Sequence, residues 1–336
     1  MRAATDSESL LALTGAAISM ELGLLVGSLA GGASPAVTGA VLGAFHVGYL
    51  CADRVATWPY RRVRLGAAIG AIAIPIAFMT MGPLASVPAV VVMSTGVQAL
   101  RRQYKRVATR HVSAKHTVKA LGMALGGAAA WHLGFSAIAL VTATLVLLTP
   151  EPSHVQELRS PRTSIRKSTQ RLLLGTEFTH HAHYFLYCYT FWRLDPFVAV
   201  SLVGPLFVLG WLAYFLAESV IGRRSRFAPL QMSVGHLLGA SCLVGMLVSS
   251  RLWWLMLMWF LTGVGGGTAY MLGRGPQATR REGAEDLGHV TGAVLGGLLA
   301  TWTVQMSIAT AAIVAVLTAA LAFSLSCADL TERKEQ

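Results

Sequence analysis

The stretch EPSHVQELRSPRTSIRKSTQR, residues 151–171, is the longest polar segment of a 336-residue chain and lies almost at its midpoint. It contains two prolines and several arginines but few apolar side chains that could pack in a core. Long apolar stretches precede and follow it. We therefore predict a basic linker on the cytoplasmic surface, near anionic lipid, that joins two domains at residues 1–150 and 172–336.

The composition indicates an integral membrane protein. Hydrophobic residues make up 54% of the chain and charged residues only 12%, with a mean hydropathy of +0.58. A soluble domain of this size would need far more charge to cover its surface. The net charge of +12 would suggest a nucleic-acid partner if the basic residues shared one soluble face, but they occur in short clusters between apolar stretches. We predict a lipid environment and no nucleic-acid partner.

Turn-forming residues divide the apolar sequence into stretches near the roughly 20 residues that a helix needs to cross a bilayer. The predicted helices span residues 10–31, 35–56, 63–81, 83–101, 116–133, 134–150, 172–192, 197–219, 228–249, 252–273, 287–303 and 305–327. The fold class is thus all-α integral membrane, with about twelve transmembrane helices as two pseudo-symmetric six-helix bundles. The breaks at 133/134 and 303/305 are the weakest, and a ten-helix count stays open there.

The distribution of basic residues supports this layout. With a cytoplasmic N-terminus, only Arg193 and Arg251 of the 27 Lys and Arg residues fall on the outer side. Cytoplasmic loops are enriched in Lys and Arg, and a wrong helix count would scramble the alternation. We predict a multi-pass protein of the cell membrane with both termini in the cytoplasm.

Short motifs recur between the two halves in the same order. The pairs are Gly48-Tyr49-Leu50 with Gly210-Trp211-Leu212, Arg61-Arg62 with Arg223-Arg224, Ala108-Thr109-Arg110 with Ala278-Thr279-Arg280, and Gly122 and Gly126 with Gly292 and Gly296. A parallel duplication of six helices accounts for this order. Such repeats place a substrate site near the bilayer midplane, between halves that rock against each other.

Six helices, a basic central loop and six more helices, with both termini inside, resemble the major facilitator superfamily of secondary transporters. Between the second and third predicted helices, Gly48, Asp53-Arg54 and Arg61-Arg62 are similar to a stretched form of the family's loop signature. In that family the loop latches the cytoplasmic gate by charge pairing, so the resemblance implies a gating role for Asp53 and Arg54. Gly122 and Gly126 resemble an antiporter motif that here lacks its proline.

The seventh predicted helix carries an unusual polar stretch, GTEFTHHAHYFLYCY, residues 175–189. Titratable groups at membrane depth are costly and usually face a cavity or a partner. Helical geometry places Glu177, Tyr184 and Tyr187 on one face with either His180 or His181, while His183 projects elsewhere, beside Tyr187. The six candidate substrate-binding or proton-coupling residues on this helix are Glu177, His180, His181, His183, Tyr184 and Tyr187.

Two other readings of this helix stay open. In the first, these residues lie at a solvent-exposed helix end. In the second, His180 and His183, three residues apart, both bind one metal ion. No second histidine cluster is visible in the sequence, and His46 and His236 each occur singly in an apolar helix, where packing is the usual role. We predict no cofactor and no metal.

Glu21 lies near the middle of the first predicted helix, with no basic residue close in sequence. It is either a protonated structural carboxyl or a site of proton coupling or recognition. We interpret the chain as a secondary transporter of a small organic solute, with protons as the coupling ion. Glu21 and the polar residues of the seventh helix would carry out coupling and recognition. The alternative is a membrane enzyme or metal-handling assembly factor that reuses the fold, with the histidines as acid/base groups or ligands.

Overall fold

The computed structural model describes residues 33–105, 135–149, 151, 167–193, 205, 206, 208–210, 212–214, 216, 217, 228–269 and 278–335. Every regular element among them is helical. The helices are α1 Pro35–Val55, α2 Tyr60–Met81, α3 Val87–Lys105, α4 Phe135–Leu148, α5 Lys167–Tyr187, α6 Ala228–Val248, α7 Leu252–Gly267, α8 Ala278–Trp302 and α9 Val304–Glu335. Short 3-10 helices occupy Pro83–Ser86 and Cys188–Arg193.

Local chemistry explains where several helices begin and end. The Ser34 hydroxyl accepts a hydrogen bond from the Val37 amide at 3.4 Å, and Pro35 occupies the first turn of α1, where its missing N–H costs nothing. Gly82, with φ of 92°, ends α2 in a conformation that favours glycine. The predicted break at 303/305 is confirmed, since α8 ends at Trp302 and α9 begins at Val304.

Three helices extend at least five residues beyond one of their predicted ends. Helix α5 begins at Lys167 rather than residue 172, α8 begins at Ala278 rather than 287, and α9 continues to Glu335 rather than 327. Hydropathy marks the apolar thickness of the bilayer, whereas a helix continues through charged residues as long as its backbone hydrogen bonds are made. The predicted spans 10–31 and 116–133, and the break at 133/134, lie outside the described residues.

Contacts divide the chain into two compact units, Met1–Arg159 with Leu194–Val208, and Ser160–Arg193 with Leu209–Gln336. In the first unit, α1 and α2 each cross α3 closely at glycines. A Cβ atom on Gly48 would lie 2.8 Å from the Val91 carbonyl oxygen, and one on Gly70 would lie 2.6 Å from the Met93 amide nitrogen. Glycine therefore permits the helix separation in this unit.

The second unit contains α5 to α9. Helix α5 packs against α8 and α9, while α6 packs against α7 and α9. The Ser307 hydroxyl of α9 donates to the Leu186 carbonyl at 2.6 Å, and the Tyr189 hydroxyl donates to the Ala293 carbonyl of α8, also at 2.6 Å. These buried bonds fix the end of α5 between its two neighbours.

The outward faces are apolar, as a bilayer requires. Five described segments are long and apolar enough to cross a membrane, namely Pro35–Val55, Tyr60–Met81, Pro83–Gln103, Ala228–Val248 and Val304–Ala328. Large side chains such as Met79, Val248 and Trp302 are exposed on the surface. Patches of this kind on a polytopic helical protein face lipid. The chain is an all-α integral membrane protein.

Candidate functional site

Helix α5 is a polar helix in the interior of an apolar unit. Thr176 and Thr179 are buried, and their hydroxyls donate to the carbonyls of Leu172 and Gly175 four residues earlier, at 2.8 and 2.9 Å. These bonds satisfy the hydroxyls within the helix itself. Glu177, His180 and His183 are all buried. The interpretation of residues 175–189 as a solvent-exposed helix end is therefore wrong.

A row of glycines brings α8 against α5. A Cβ atom on Gly292 would lie 2.9 Å from the Ala182 carbonyl carbon, and one on Gly288 would lie 3.1 Å from the His181 Cβ atom. A Cβ atom on Gly296 would lie 2.7 Å from the Tyr189 ring. The three glycines are four residues apart and therefore share one helix face. Gly292 and Gly296 therefore form part of a surface for helix packing.

The close approach of the two helices assembles a first cluster, the acidic cluster. It consists of Glu177, His181, Glu285 and His289. The His181 Nδ1 atom donates to the Glu177 backbone carbonyl at 2.8 Å and lies 3.8 Å from the Glu177 carboxylate. Its Nε2 atom lies 3.5 Å from the Glu285 carboxylate, and its ring contacts His289 at 4.6 Å between centroids. Both nitrogens of His181 thus face acceptors.

A second cluster, the inner histidine group, consists of His180, His183 and His236, with exposed fractions of 3, 2 and 1%. The His180 Nδ1 and His236 Nε2 atoms are 2.8 Å apart, and the His236 Nδ1 atom lies 2.8 Å from the Met232 carbonyl of its own helix, α6. A carbonyl only accepts, so His236 Nδ1 carries a proton. In a neutral ring its Nε2 atom is then the acceptor, and His180 donates.

The two clusters touch through adjacent rings. The His180 and His181 centroids are 4.6 Å apart, and His183 lies 5.4 Å from His180 and 5.1 Å from His236. His236 is buried and packed, as the sequence predicts, but its ring also lies against the rings of His180 and His183. His236 and His289 join the histidines of α5 because α6 and α8 pack in the same unit, which a single sequence does not reveal.

The predicted tyrosines border these clusters. Tyr187 is buried and contacts the His183 ring at 5.8 Å, as the sequence predicts, and the Trp259 ring of α7 at 4.9 Å. Tyr184 contacts the His289 ring at 6.5 Å between centroids. Helix α5 therefore presents His180, His183 and Tyr187 on one side and Glu177, His181 and Tyr184 on another, which separates His180 from the Glu177 face.

The remaining candidates lie in the first unit or outside the described residues. Asp53, at the end of α1, forms an ion pair with Arg102 of α3, whose side chain is largely buried. Arg54 is exposed, and its backbone carbonyl accepts a hydrogen bond from the Thr57 hydroxyl at 2.8 Å. The gating role of Asp53 and Arg54 stays a prediction. Glu21 lies outside the described residues. His46 is buried beside Phe45 and Tyr49, with centroids 5.4 and 5.3 Å away.

No protein-family model and no curated protein sequence matches this chain. Solved structures do match in fold. A bacterial homologue of the human lysosomal transporter Spinster, in an inward-facing and occupied conformation, is similar with a TM-score of 0.69 and 16% identity over 95% of this chain and 96% of that one. The nucleoside transporter NupG gives 0.64 and 14% over 98% and 99%.

The multidrug transporter EmrD from Escherichia coli gives a TM-score of 0.60 and 18% identity over 92% of this chain and 96% of that chain. These structures are similar across nearly the whole of both chains, and all are transporters of one superfamily. At such low identity the likeness concerns the fold. The chain has the fold of the major facilitator superfamily.

Proposed function

We propose that this protein is a secondary transporter of a small organic solute. The acidic cluster and the inner histidine group recognise that solute. The observation that carries the proposal is the burial of His180, His183, His236 and Glu177, with His181 and His289 half-buried beside them, inside a unit whose surface is apolar. Polar side chains at membrane depth are costly unless they serve a site. A fold shared with transporters of nucleosides and drugs supports the same conclusion.

We further propose that protons drive transport and that the carboxyl groups of Glu21 and Glu177 carry them. Glu177 is buried next to His181, which connects it to Glu285. Glu21 is assigned from its position in the middle of an apolar stretch. No nucleotide-binding motif occurs in the sequence, and the Gly-rich run at 263–267 lacks the Lys and Ser or Thr ending of a phosphate-binding loop.

The function is tested with purified protein in liposomes. Uridine and ethidium represent the nucleoside and drug classes, and an imposed pH gradient supplies the driving force. We expect one of them to accumulate in wild-type liposomes, and accumulation to fall to the level of empty liposomes in Glu21→Gln, because glutamine hydrogen-bonds but cannot carry a proton. Wild-type accumulation and wild-type pH dependence in Glu21→Gln would remove this residue from the mechanism, and accumulation without a gradient would refute proton coupling.

The cytoplasmic position of both termini is likewise a proposal. Arg193 donates to the Met246 carbonyl, and Arg251 precedes α7 a few residues later, so the two outer basic residues lie at the same end of the second unit. We expect single cysteines at Ser160 and Glu335 to react with a membrane-impermeant thiol reagent only after permeabilisation, and one at Gly32 to react in intact cells. Labelling of Ser160 and Glu335 from opposite sides would show that the predicted helix count is wrong by an odd number.

A further inference from the structure

We propose that His180, His183 and His236 bind one divalent transition-metal cation of the zinc class. One nitrogen from each of the three rings can be chosen so that all lie within 4.8 Å of one another, and the residues come from two helices of one unit, α5 and α6. Three imidazoles form a donor set that suits Zn²⁺, Cu²⁺ and Ni²⁺ rather than Mg²⁺ or Ca²⁺. This proposal does not depend on the transport function.

The His236 ring is already oriented as a ligand. Its Nδ1–H donates to the Met232 carbonyl at 2.8 Å, which leaves Nε2 directed at His180. Histidines that bind metals almost always donate their other ring N–H to a carbonyl or carboxylate, and this bond fixes both the tautomer and the ring direction. The Met232 carbonyl therefore holds the His236 ring in the tautomer and direction that a metal ligand needs.

His183 supplies the second observation. Its Nδ1 atom is buried and makes no well-aligned hydrogen bond among the described residues, although the backbone carbonyls of Thr179 and His180 lie near the ring. A buried polar atom without a partner costs about 1–3 kcal/mol, so natural structures rarely retain one without a reason. Coordination to a cation bound between His180 and His236 would satisfy this nitrogen. The hydrogen bond between His180 and His236 alone does not involve His183 and leaves its nitrogen unsatisfied.

Binding requires only small changes in the inner histidine group. The proton between His180 Nδ1 and His236 Nε2 must leave, which the His180 ring achieves by moving its proton from Nδ1 to Nε2 with no change of charge. Two imidazole nitrogens on a tetrahedral zinc ion lie about 3.3 Å apart, so the 2.8 Å pair opens slightly and the third ring moves by at most about 1.5 Å.

The surroundings offset part of the charge of the ion. Three neutral imidazoles leave a divalent cation uncompensated, but His181 contacts His180 at 4.6 Å and connects to the carboxylates of Glu177 and Glu285. Three protein ligands also leave one position of a tetrahedral ion open for water or a solute atom. The site is therefore of the open type and could contact a bound solute directly.

The test uses the full-length protein, purified in detergent with an affinity tag that contains no histidine and stripped of metal with a chelator. Zn²⁺ is titrated against it and bound metal is measured by elemental analysis after gel filtration. Co²⁺ is added in a parallel experiment, because its visible absorption distinguishes four-coordinate from six-coordinate sites. We expect the protein to bind one equivalent of Zn²⁺ and Zn²⁺ to displace Co²⁺ from the site. The Co²⁺ form should have the absorption of a four-coordinate site.

Substitutions assign the ligands. His180→Gln, His183→Gln and His236→Gln should each weaken Zn²⁺ binding by at least about 100-fold, beyond the 10- to 100-fold range of an outer-shell change, while His181→Gln should stay within that range. His154→Gln, in the polar linker, is the matched control and should bind like the wild type. Gel filtration identifies variants that fail to fold.

Three results would overturn the proposal. One is the absence of stoichiometric Zn²⁺ binding by the wild type. Another is unchanged binding in folded His236→Gln protein, and the third is a Co²⁺ spectrum typical of six-coordinate, water-rich sites. The wild-type measurements decide the question even if every inner variant unfolds. Since no solute is involved, a failure here leaves the transport proposal untouched, and the absence of transport leaves the metal result untouched.

Discussion

Glu177→Gln should abolish proton-driven accumulation of solute in liposomes while leaving solute exchange at equal pH intact. The Glu177 carboxylate is buried in α5, and it lies 3.8 Å from the His181 Nδ1 atom, while the other nitrogen of His181 lies 3.5 Å from Glu285. Glutamine has nearly the same size as this side chain and can still form hydrogen bonds, but it cannot bind or release a proton. Exchange needs no net proton transfer and should therefore continue.

Two variants serve as controls for this experiment. Glu177→Asp retains a titratable group and should recover part of the accumulation. Glu285→Gln removes a carboxylate of the same cluster whose side chain is 43% exposed, so its effect should be smaller because solvent screens exposed charges. Wild-type accumulation in Glu177→Gln, with normal insertion and expression, would exclude Glu177 from coupling. Loss of exchange together with accumulation would instead indicate that recognition of the solute needs the charge of Glu177.

The order of effects among the three histidines of α5 changes once the structure is known. Helical geometry alone favours His180 and His181 over His183, because only they lie near the Glu177 face. The structure gives His183 the same buried surroundings as His180, against His236 and Tyr187. We therefore expect His183→Gln to impair the protein as strongly as His180→Gln, which single-variant transport measurements would check.

Sequence alone is enough for the architecture because its signals are local. Ser34 with Pro35, and Gly82, mark helix ends through chemistry that acts within a few residues. Hydropathy measures only apolar thickness, so the charged start of α8 at Arg280 and Arg281 is assigned to a loop although the helix begins at Ala278. A window that averages composition has no information on where a polar helix stops.

The candidate site is predictable only in part, since it combines local and long-range contacts. Glu177 and His181 are one helical turn apart, and their proximity follows from spacing alone. His236 and His289 belong to other helices, and only the packing of α6 and α8 brings them near α5. The glycines at 288, 292 and 296 are a local signal of the packing of α8, because a glycine face predicts a close helix partner without identifying it.

Gly292→Ala should destabilise the protein more than the same substitution at Gly283, Gly288 or Gly296 of α8. A Cβ atom at this position would lie 2.9 Å from the Ala182 carbonyl carbon and 3.0 Å from its Cα atom. Both are backbone atoms, which cannot move aside as a side chain can, so α5 and α8 must separate. Overpacking of this kind costs about 1–3 kcal/mol, which corresponds to a fall in melting temperature of several degrees, roughly 4–8 °C for about 2 kcal/mol.

Gly283→Ala is the matched control for this substitution, because it adds the same methyl group to the same helix where nothing lies within 4 Å of the new Cβ atom. Alanine favours helix by about 1 kcal/mol over glycine, so the control should leave the melting temperature unchanged or raise it. Melting is followed by gel filtration of heated, detergent-solubilised protein. Because Glu285 and His289 reach His181 only through this close contact, Gly292→Ala should also impair transport below its melting temperature. Equal melting temperatures for the two variants would show that the α5–α8 contact is looser than the structure has it.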